Sequence, residues 1–394
     1  MLTRRSALLG LGGAMAMGRV SLALAAAATE QRFVVVIPRG ALDGLSAVQP
    51  YGDPALAGLR GELALPQPGR EGGVLDLGGF HGLHPSMVGM HGMFGAGEMA
   101  VVHAVAGPYR SRSHFEAQDY LESGADHRLS SGWLNRAAGL LPAKPGKGPG
   151  SETALSVGAT VALLLRGAAP VGSWLPQSFA QPEAALYRTL AALHRGDPVT
   201  GPAIAEGLKD RGFSESVLAG SAQAPKRNAF PALAGAAGRL LAAADGPRIA
   251  ALEIGGWDTH AAQVQRLHAV LKELDDGMLA LKEGLGVAWR RTAVLVMTEF
   301  GRTVAVNGTR GTDHGTGGVA FLAGGAVAGG KVLGTWPGLG AGRLFENRDL
   351  APTTDLRSVA KGMLAAHFGL DAGRLGGVFP DSGAATPMSG LLRA

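Results

Sequence analysis

Apolar, β-branched runs that end abruptly at acidic or imidazole side chains set the strongest limit on how this chain can fold. Gln31 to Ile37 (QRFVVVI), Met99 to Val105 (MAVVHAV), Arg248 to Ile254 (RIAALEI) and Thr292 to Met297 (TAVLVM) are largely continuous runs, the pattern of strands buried on both faces. Val319 to Leu322 predicts a fifth. Between them lies helical spacing, clearest where Val264, Leu267, Leu271, Leu274, Met278, Leu281 and Leu285 recur at three and four residues and give one apolar face. Strands alternating with helices predict an α/β fold with a mainly parallel central sheet flanked by helices on both faces. Ligands of such sheets bind beyond the carboxyl ends of the strands. Asp43, the turn from Ser111 to His114, Asp258 with His260, and Glu299 all fall at such ends.

Punctuation fills in the rest. Ser113 followed by Glu116 fits a capping box and starts a helix near Ser113. Residues from about Pro142 to Ser151 read as a surface loop rich in Pro, Gly and Lys. The Ala/Leu-rich stretch from Glu183 to about Leu241 predicts a helical insertion or cap, and Thr353-Thr354-Asp355 caps a final helix to about His367. Residues 29–394 are expected to form a single domain carrying that insertion.

The first 28 residues belong to a different problem. Arg4-Arg5 precedes an apolar stretch from about Ala7 to Met17, and Leu24-Ala25-Ala26-Ala27-Ala28 offers small residues for cleavage. This predicts a twin-arginine export signal that uses the Tat machinery, a mature N-terminus between about Ala26 and Glu30, and a periplasmic or secreted protein. No later segment has eighteen unbroken apolar residues, so no stable membrane insertion is expected after signal removal. Formal net charge is +5; without Arg4, Arg5 and Arg19 it falls to +2. No Lys/Arg stripe interleaves with aromatics, so nucleic acid is not expected as a partner. Cysteine is absent, which excludes disulfides, thiolate metal sites and cysteine nucleophiles.

The residues at the strand ends carry the chemistry. Asp258 and His260 are two apart, so on an extended segment both reach one cation. Oxygen and nitrogen donors of this kind suit zinc, manganese or iron better than calcium. His314 sits in a Gly-rich loop, Gly311 to Gly318, open to close backbone approach by a ligand or simply exposed. Glu299 is either a ligand or a salt-bridge partner, for example of Arg302. Ser113, with Ser111, is either a nucleophile at a helix N-terminus, where an anion is stabilised, or only an N-cap. His114 is open between ligand, general acid and structural residue. His84 and His103 read as structural, and Asp43 as a member of the site.

The series ALDGLS, HAVAGPYRSRSHFEAQDYLESG, LEIGGWDTHAAQ, VMTEFGRT and GTDHGTGG resembles the bacterial exported domain-of-unknown-function 1501 family over nearly the whole mature chain. That family resembles the alkaline-phosphatase-like superfamily of phosphatases, sulfatases and phosphomutases. The resemblance implies an exported metal-dependent hydrolase of phosphate or sulfate esters acting on a small molecule. The catalytic pair would be Ser113 and His114, and the metal ligands Asp43, Asp258, His260, Glu299 and His314. Glu299-Phe300 stands where the superfamily has Asp-His, so about one divalent transition metal per chain, zinc or manganese, is expected rather than two. A second register places Asp313-His314 on that Asp-His motif. The same departure supports an alternative, a non-catalytic binding or assembly protein that keeps the fold.

Overall fold

The computed structural model describes residues 29–142, 153–158, 160–174 and 230–393, with short runs at 189, 191–194, 196–197 and 216–218. The predicted export signal, and most of the stretch from residue 183 to 229, lie outside the described residues. Among the described residues nine strands form the central sheet: β1 Arg32–Pro38, β2 Met99–Ala106, β3 Ala154–Val157, β4 Val171–Trp174, β5 Ile249–Ile254, β6 Thr292–Val296, β7 Gly318–Ala323, β8 Lys331–Leu333 and β9 Thr354–Asp355. Their order is β8-β2-β7-β6-β1-β5-β3-β4, with β9 beside β2. Every pairing is parallel except those of β7, which runs antiparallel to both β2 and β6. The sheet is therefore mainly parallel, as the buried apolar runs require. Four strands go beyond the five expected, because β3, β4, β8 and β9 have only two to four residues each and carry no pattern of their own.

Alternate residues of each strand feed two cores. Val34 and Val36 of β1 join Leu252 and Val294 beneath three helices, α2 Val88–Gly95, α5 Phe230–Ala242 and α6 Gln263–Leu285. Phe33, Val35 and Ile37 face Leu295 and Leu322 on the other side. There they meet α4 Trp133–Ala138, α7 Leu356–Phe368 and α8 Ala372–Val378. Two corrections follow. The end of the presumed insertion, α5, is a core helix packed along α6. The chain also does not stop its helices near His367, since α8 follows. Asp355 does cap α7, its carboxylate accepting from the Arg357 amide.

The turn after β1 opens α1 Gly44–Ala47, and Asp43 is its N-cap. Asp43 is 1% exposed, and every acceptor position is used. Oδ1 accepts from the amides of Leu45 (3.1 Å) and Ser46 (3.3 Å); Oδ2 accepts from the Ser46 hydroxyl (2.9 Å), the Gln263 amide and the Arg60 guanidinium. Burial pushes the carboxyl upward, but Arg60 and the hydrogen bonds outweigh it and hold it below the ordinary range. Gln263 Oε1 in turn accepts from Thr259 (3.0 Å) and Thr312 (2.6 Å), which ties together the loops after β1, β5 and β6. Asp43→Asn leaves Arg60 buried without its counter-charge and is expected to cost about 3–5 kcal/mol of stability, measured by chemical denaturation. Zinc affinity of the folded fraction should stay unchanged. A stable Asp43→Asn protein that no longer binds zinc would instead make Asp43 a ligand.

Candidate metal centre

Three loops at the carboxyl edge of the sheet, after β2, β5 and β6, deliver the remaining residues to one place. α3 His114–Ser123 begins with His114, so the loop after β2 fixes the first imidazole. The loop after β5 carries Asp258 and His260, anchored by the fully buried Trp257. Gly40, at φ 116, lets the β1 loop lie against this backbone; a Cβ there would stand 2.6 Å from the Asp258 amide nitrogen. His314 does not hang free in its Gly-rich loop. Residues 301–303 and 313–316 pair antiparallel, with Gly315 N–H on Gly301 O (2.8 Å), Gly301 N–H on Thr316 O (3.0 Å) and Thr303 N–H on Asp313 O (2.9 Å).

Four donor atoms converge. His314 Nε2 lies 3.0 Å from His114 Nε2, 3.0 Å from His260 Nε2 and 3.4 Å from Asp258 Oδ1. Asp258 Oδ1 is 3.6 Å from His114 Nε2 and 3.0 Å from His260 Nε2. His114, Asp258 and His314 form a group whose ligand atoms all fall within 4.8 Å of one another. A point equidistant from those three atoms lies about 2 Å from each, the length of a zinc–nitrogen or zinc–oxygen bond.

The far side of each ring is held. His114 Nδ1 donates to Glu299 Oε1 (2.8 Å), His314 Nδ1 to the Arg112 carbonyl (2.9 Å), and His260 Nδ1 to Asp313 Oδ1 (3.0 Å). Arg112 takes φ 63 to present that carbonyl, a costly conformation for a residue with a side chain. With protons on Nδ1, the Nε2 atoms of His114 and His260 each lie 3.0 Å from His314 Nε2 with their lone pairs unprotonated. Lone pairs that close repel, and a cation among them turns the repulsion into binding. The donor set therefore fits a divalent transition metal, with each histidine backed by a carboxylate or carbonyl in the usual manner of metal-binding imidazoles.

Electrostatics agree. Burial opposes ionisation of Asp258, yet Arg302 and the three imidazoles hold its carboxyl below the ordinary range. Burial likewise opposes Glu299, but the His114 hydrogen bond and those from Thr298 and Gly40 bring it down to about 2. The Glu299 hydrogen bond raises His114 despite burial, whereas burial lowers His314.

Of the seven residues expected in the site, His114, Asp258, His260 and His314 meet at the cluster. Glu299 stands behind His114, fully buried, and also accepts from the Gly40 amide (2.9 Å) and Gln118 (3.2 Å). Asp43 is committed to Arg60 and to its cap. Ser113 holds the N-cap position of α3, but its hydroxyl makes no cap hydrogen bond, and Glu116 takes the Tyr109 hydroxyl instead of closing a capping box. Phe300 does not stand in a ligand's place: its ring packs on His114 (4.9 Å between centroids) and His314 (5.1 Å) and braces both. His103 and His84 are buried and structural, His103 Nε2 on the Val48 carbonyl and His84 Nδ1 on Ser86. Sequence reasoning missed the backing roles of Asp313 and the Arg112 carbonyl; Asp313 carried a signal in its Asp-His pair, the carbonyl none.

Glu299→Gln keeps this scaffold, since an amide oxygen still accepts from His114 and Gly40 and the amide nitrogen can donate to Thr298. Only the charge behind His114 is lost. Zinc affinity is expected to fall about 10–100-fold, with a thermal midpoint close to that of the unsubstituted apo-protein. Unchanged zinc affinity in calorimetry would remove Glu299 from the metal's support.

A family model described as "Protein of unknown function (DUF1501)" matches residues 97–378. No curated protein matches the chain. Among solved structures, Ps i-CgsB in complex with k-i-k-neocarrahexaose is similar at 10% identity, with 91% of this chain and 77% of that chain covered and a TM-score of 0.43. The periplasmic domain of EptC from Escherichia coli, in complex with Zn, is similar at 11% identity, with 77% and 76% covered and a TM-score of 0.30. Phosphonoacetate hydrolase from Sinorhizobium meliloti 1021, in complex with phosphonoformate, is similar at 13% identity, with 72% and 60% covered and a TM-score of 0.29. Likeness at this level leaves the chain's chemistry to its own side chains.

Proposed function

This chain belongs to the DUF1501 family, and from that premise we propose that it is a metal-dependent hydrolase of phosphate or sulfate esters. The observation that carries the reading is the grouping of His114 Nε2, Asp258 Oδ1 and His314 Nε2 within 4.8 Å of one another, with His260 Nε2 3.0 Å from the last two. Zinc or manganese, about one ion per chain, suits this nitrogen-rich set. A divalent ion held there supplies Lewis acidity toward an ester oxygen and makes water a stronger acid.

The chain's own groups do the rest. Glu299, Asp313 and the Arg112 carbonyl hold the three imidazoles in the tautomer that presents Nε2. Phe300 covers one side of His114 and His314 and keeps water from it. Asp258 and His260 are the exposed members, at 47% and 41%, so substrate approaches from their side. Ser113, next to His114 with its hydroxyl free of a cap bond, is the nucleophile on this reading. The twin-arginine segment within residues 1–28 supports action in the periplasm or outside the cell. No helix among the described residues is long and apolar enough to cross a membrane.

The test is metal analysis of protein purified without chelator, followed by hydrolysis of aryl phosphate and aryl sulfate esters before and after chelation. About one zinc or manganese per chain and chelator-sensitive hydrolysis are expected. Metal without hydrolysis would favour the non-catalytic alternative, and the absence of any metal after zinc addition would end the hydrolase reading.

A further inference from the structure

We infer that Arg302 is an oxyanion-binding residue of this centre, holding one oxygen of a tetrahedral phosphate or sulfate group at the cluster; the inference rests on the metal-dependent reading above. The Arg302 side chain is fully buried. Nε donates to the Ala41 carbonyl (3.0 Å), and Nη2 donates to the Trp257 carbonyl (3.1 Å) and to Asp258 Oδ1 (2.8 Å). These bonds lock the plane of the guanidinium and aim Nη1 at the cluster. Nη1 itself contacts only His260 Nε2, at 3.5 Å, too long for a good hydrogen bond. That nitrogen is one of the four converging donors. Once it faces a cation, Nη1 keeps two N–H groups and no protein acceptor among the described residues. Buried donors of native proteins find acceptors, and here an oxygen of a bound ligand is the group placed to serve.

Geometry narrows that ligand. Asp258, Glu299 and Asp313 each contact an imidazole of the cluster; with Arg302 and a divalent ion their charges sum to zero, so selection rests on the arrangement of the donors. The N-terminus of the ten-residue α3 lies at the same point, since His114 is its first residue, and the Ser113 side chain leaves the first-turn amides uncapped. A cation held by the cluster, the Arg302 guanidinium and the α3 N-terminus would offer one ligand three separate donors. A carboxylate has two oxygens for these three donors; a phosphate or sulfate ester has three beside its ester oxygen.

Calorimetry on the zinc-loaded full chain, titrated with orthophosphate, sulfate and acetate, tests the inference. One tetrahedral anion should bind more tightly than acetate; tighter phosphate would assign phosphate esters, tighter sulfate would assign sulfate esters. At saturating zinc, which offsets any loss of metal affinity from the broken Asp258 hydrogen bond, Arg302→Lys should weaken that anion at least about tenfold, because the fork that reaches both Asp258 and the anion is lost while the charge remains. Anion affinity unchanged in Arg302→Lys, or zinc-loaded protein that binds neither tetrahedral anion, would overturn the inference and leave the metal reading standing. Failure to bind zinc would instead remove the metal reading itself. If Arg302→Lys does not fold, Arg302→Gln is the second variant. If neither folds, a crystal structure of the zinc-loaded, phosphate-soaked wild type decides: an anion oxygen within hydrogen-bond distance of Nη1 supports the role, and an anion seated away from Nη1 refutes it.

Discussion

His314→Ala is expected to abolish zinc binding, weakening it by more than about a hundredfold, since loss of a mere backing partner already costs 10–100-fold. His314 is the hub of the cluster, its Nε2 within 3.0 Å of both other imidazole nitrogens and 3.4 Å of Asp258 Oδ1. Removing it leaves no three-atom set that includes His114, because every short contact of that ring within the cluster runs to His314 or to Asp258. The ring is only half-buried, so the apo-protein should keep its fold and its thermal midpoint. The wild type, in contrast, should gain about 4 kcal/mol of stability at a free zinc concentration a thousand times the dissociation constant. A thermal midpoint that rises with zinc in the wild type and stays flat in His314→Ala is the expected pair of results. Equal zinc stabilisation of both proteins would place the metal elsewhere.

The sheet and the location of the candidate site were legible because strands buried on both faces leave an unbroken apolar signature, and α/β sheets gather ligand-binding side chains at their carboxyl ends. Asp258 and His260 were singled out from that pattern, whereas His314 was singled out from its Gly-rich loop. What the sequence did not separate was ligand from support. Glu299 and Asp43 both follow a core strand, yet one backs His114 and the other neutralises Arg60. The difference lies in partners 185 and 17 residues away, which no local spacing encodes. His114 lay open among three roles because its first position in α3 matters only once β2 sets the helix beside the β6 loop. Phe300 was read as a lost ligand, since a motif compares residue types at a position and says nothing of which ring it packs on. The short strands β3 and β4 escaped because four residues are too few to show a period.

Acidification should unfold this protein through histidines that have no part in the candidate metal centre. His81, His84 and His367 are buried, and burial lowers each to about 4; burial lowers His103 to about 3. All four are neutral in the folded state at neutral pH. In the unfolded chain each takes up its proton near the ordinary value of 6.5. The unfolded state therefore binds more protons below that pH, and stability rises with pH. The sign is that of a base whose folded pKa is depressed: the contribution is complete above about 6.5 and is lost as pH falls toward 4 and then 3. With four such groups the loss approaches about 5 kcal/mol per pH unit between pH 6 and pH 4, against a total stability on the order of 10 kcal/mol. Unfolding should accordingly be complete near pH 4.5 to 4, as seen in urea titrations over a pH series on the apo-protein. His367 packs with tilted rings against Phe33 and Phe368 and donates through Nε2 to the Arg32 carbonyl. His367→Gln retains that donor without an ionisable ring and should reduce the slope by about a quarter, one proton of four. Stability that stays level from pH 7 to pH 5 would mean that these rings are hydrated or already charged in the folded protein.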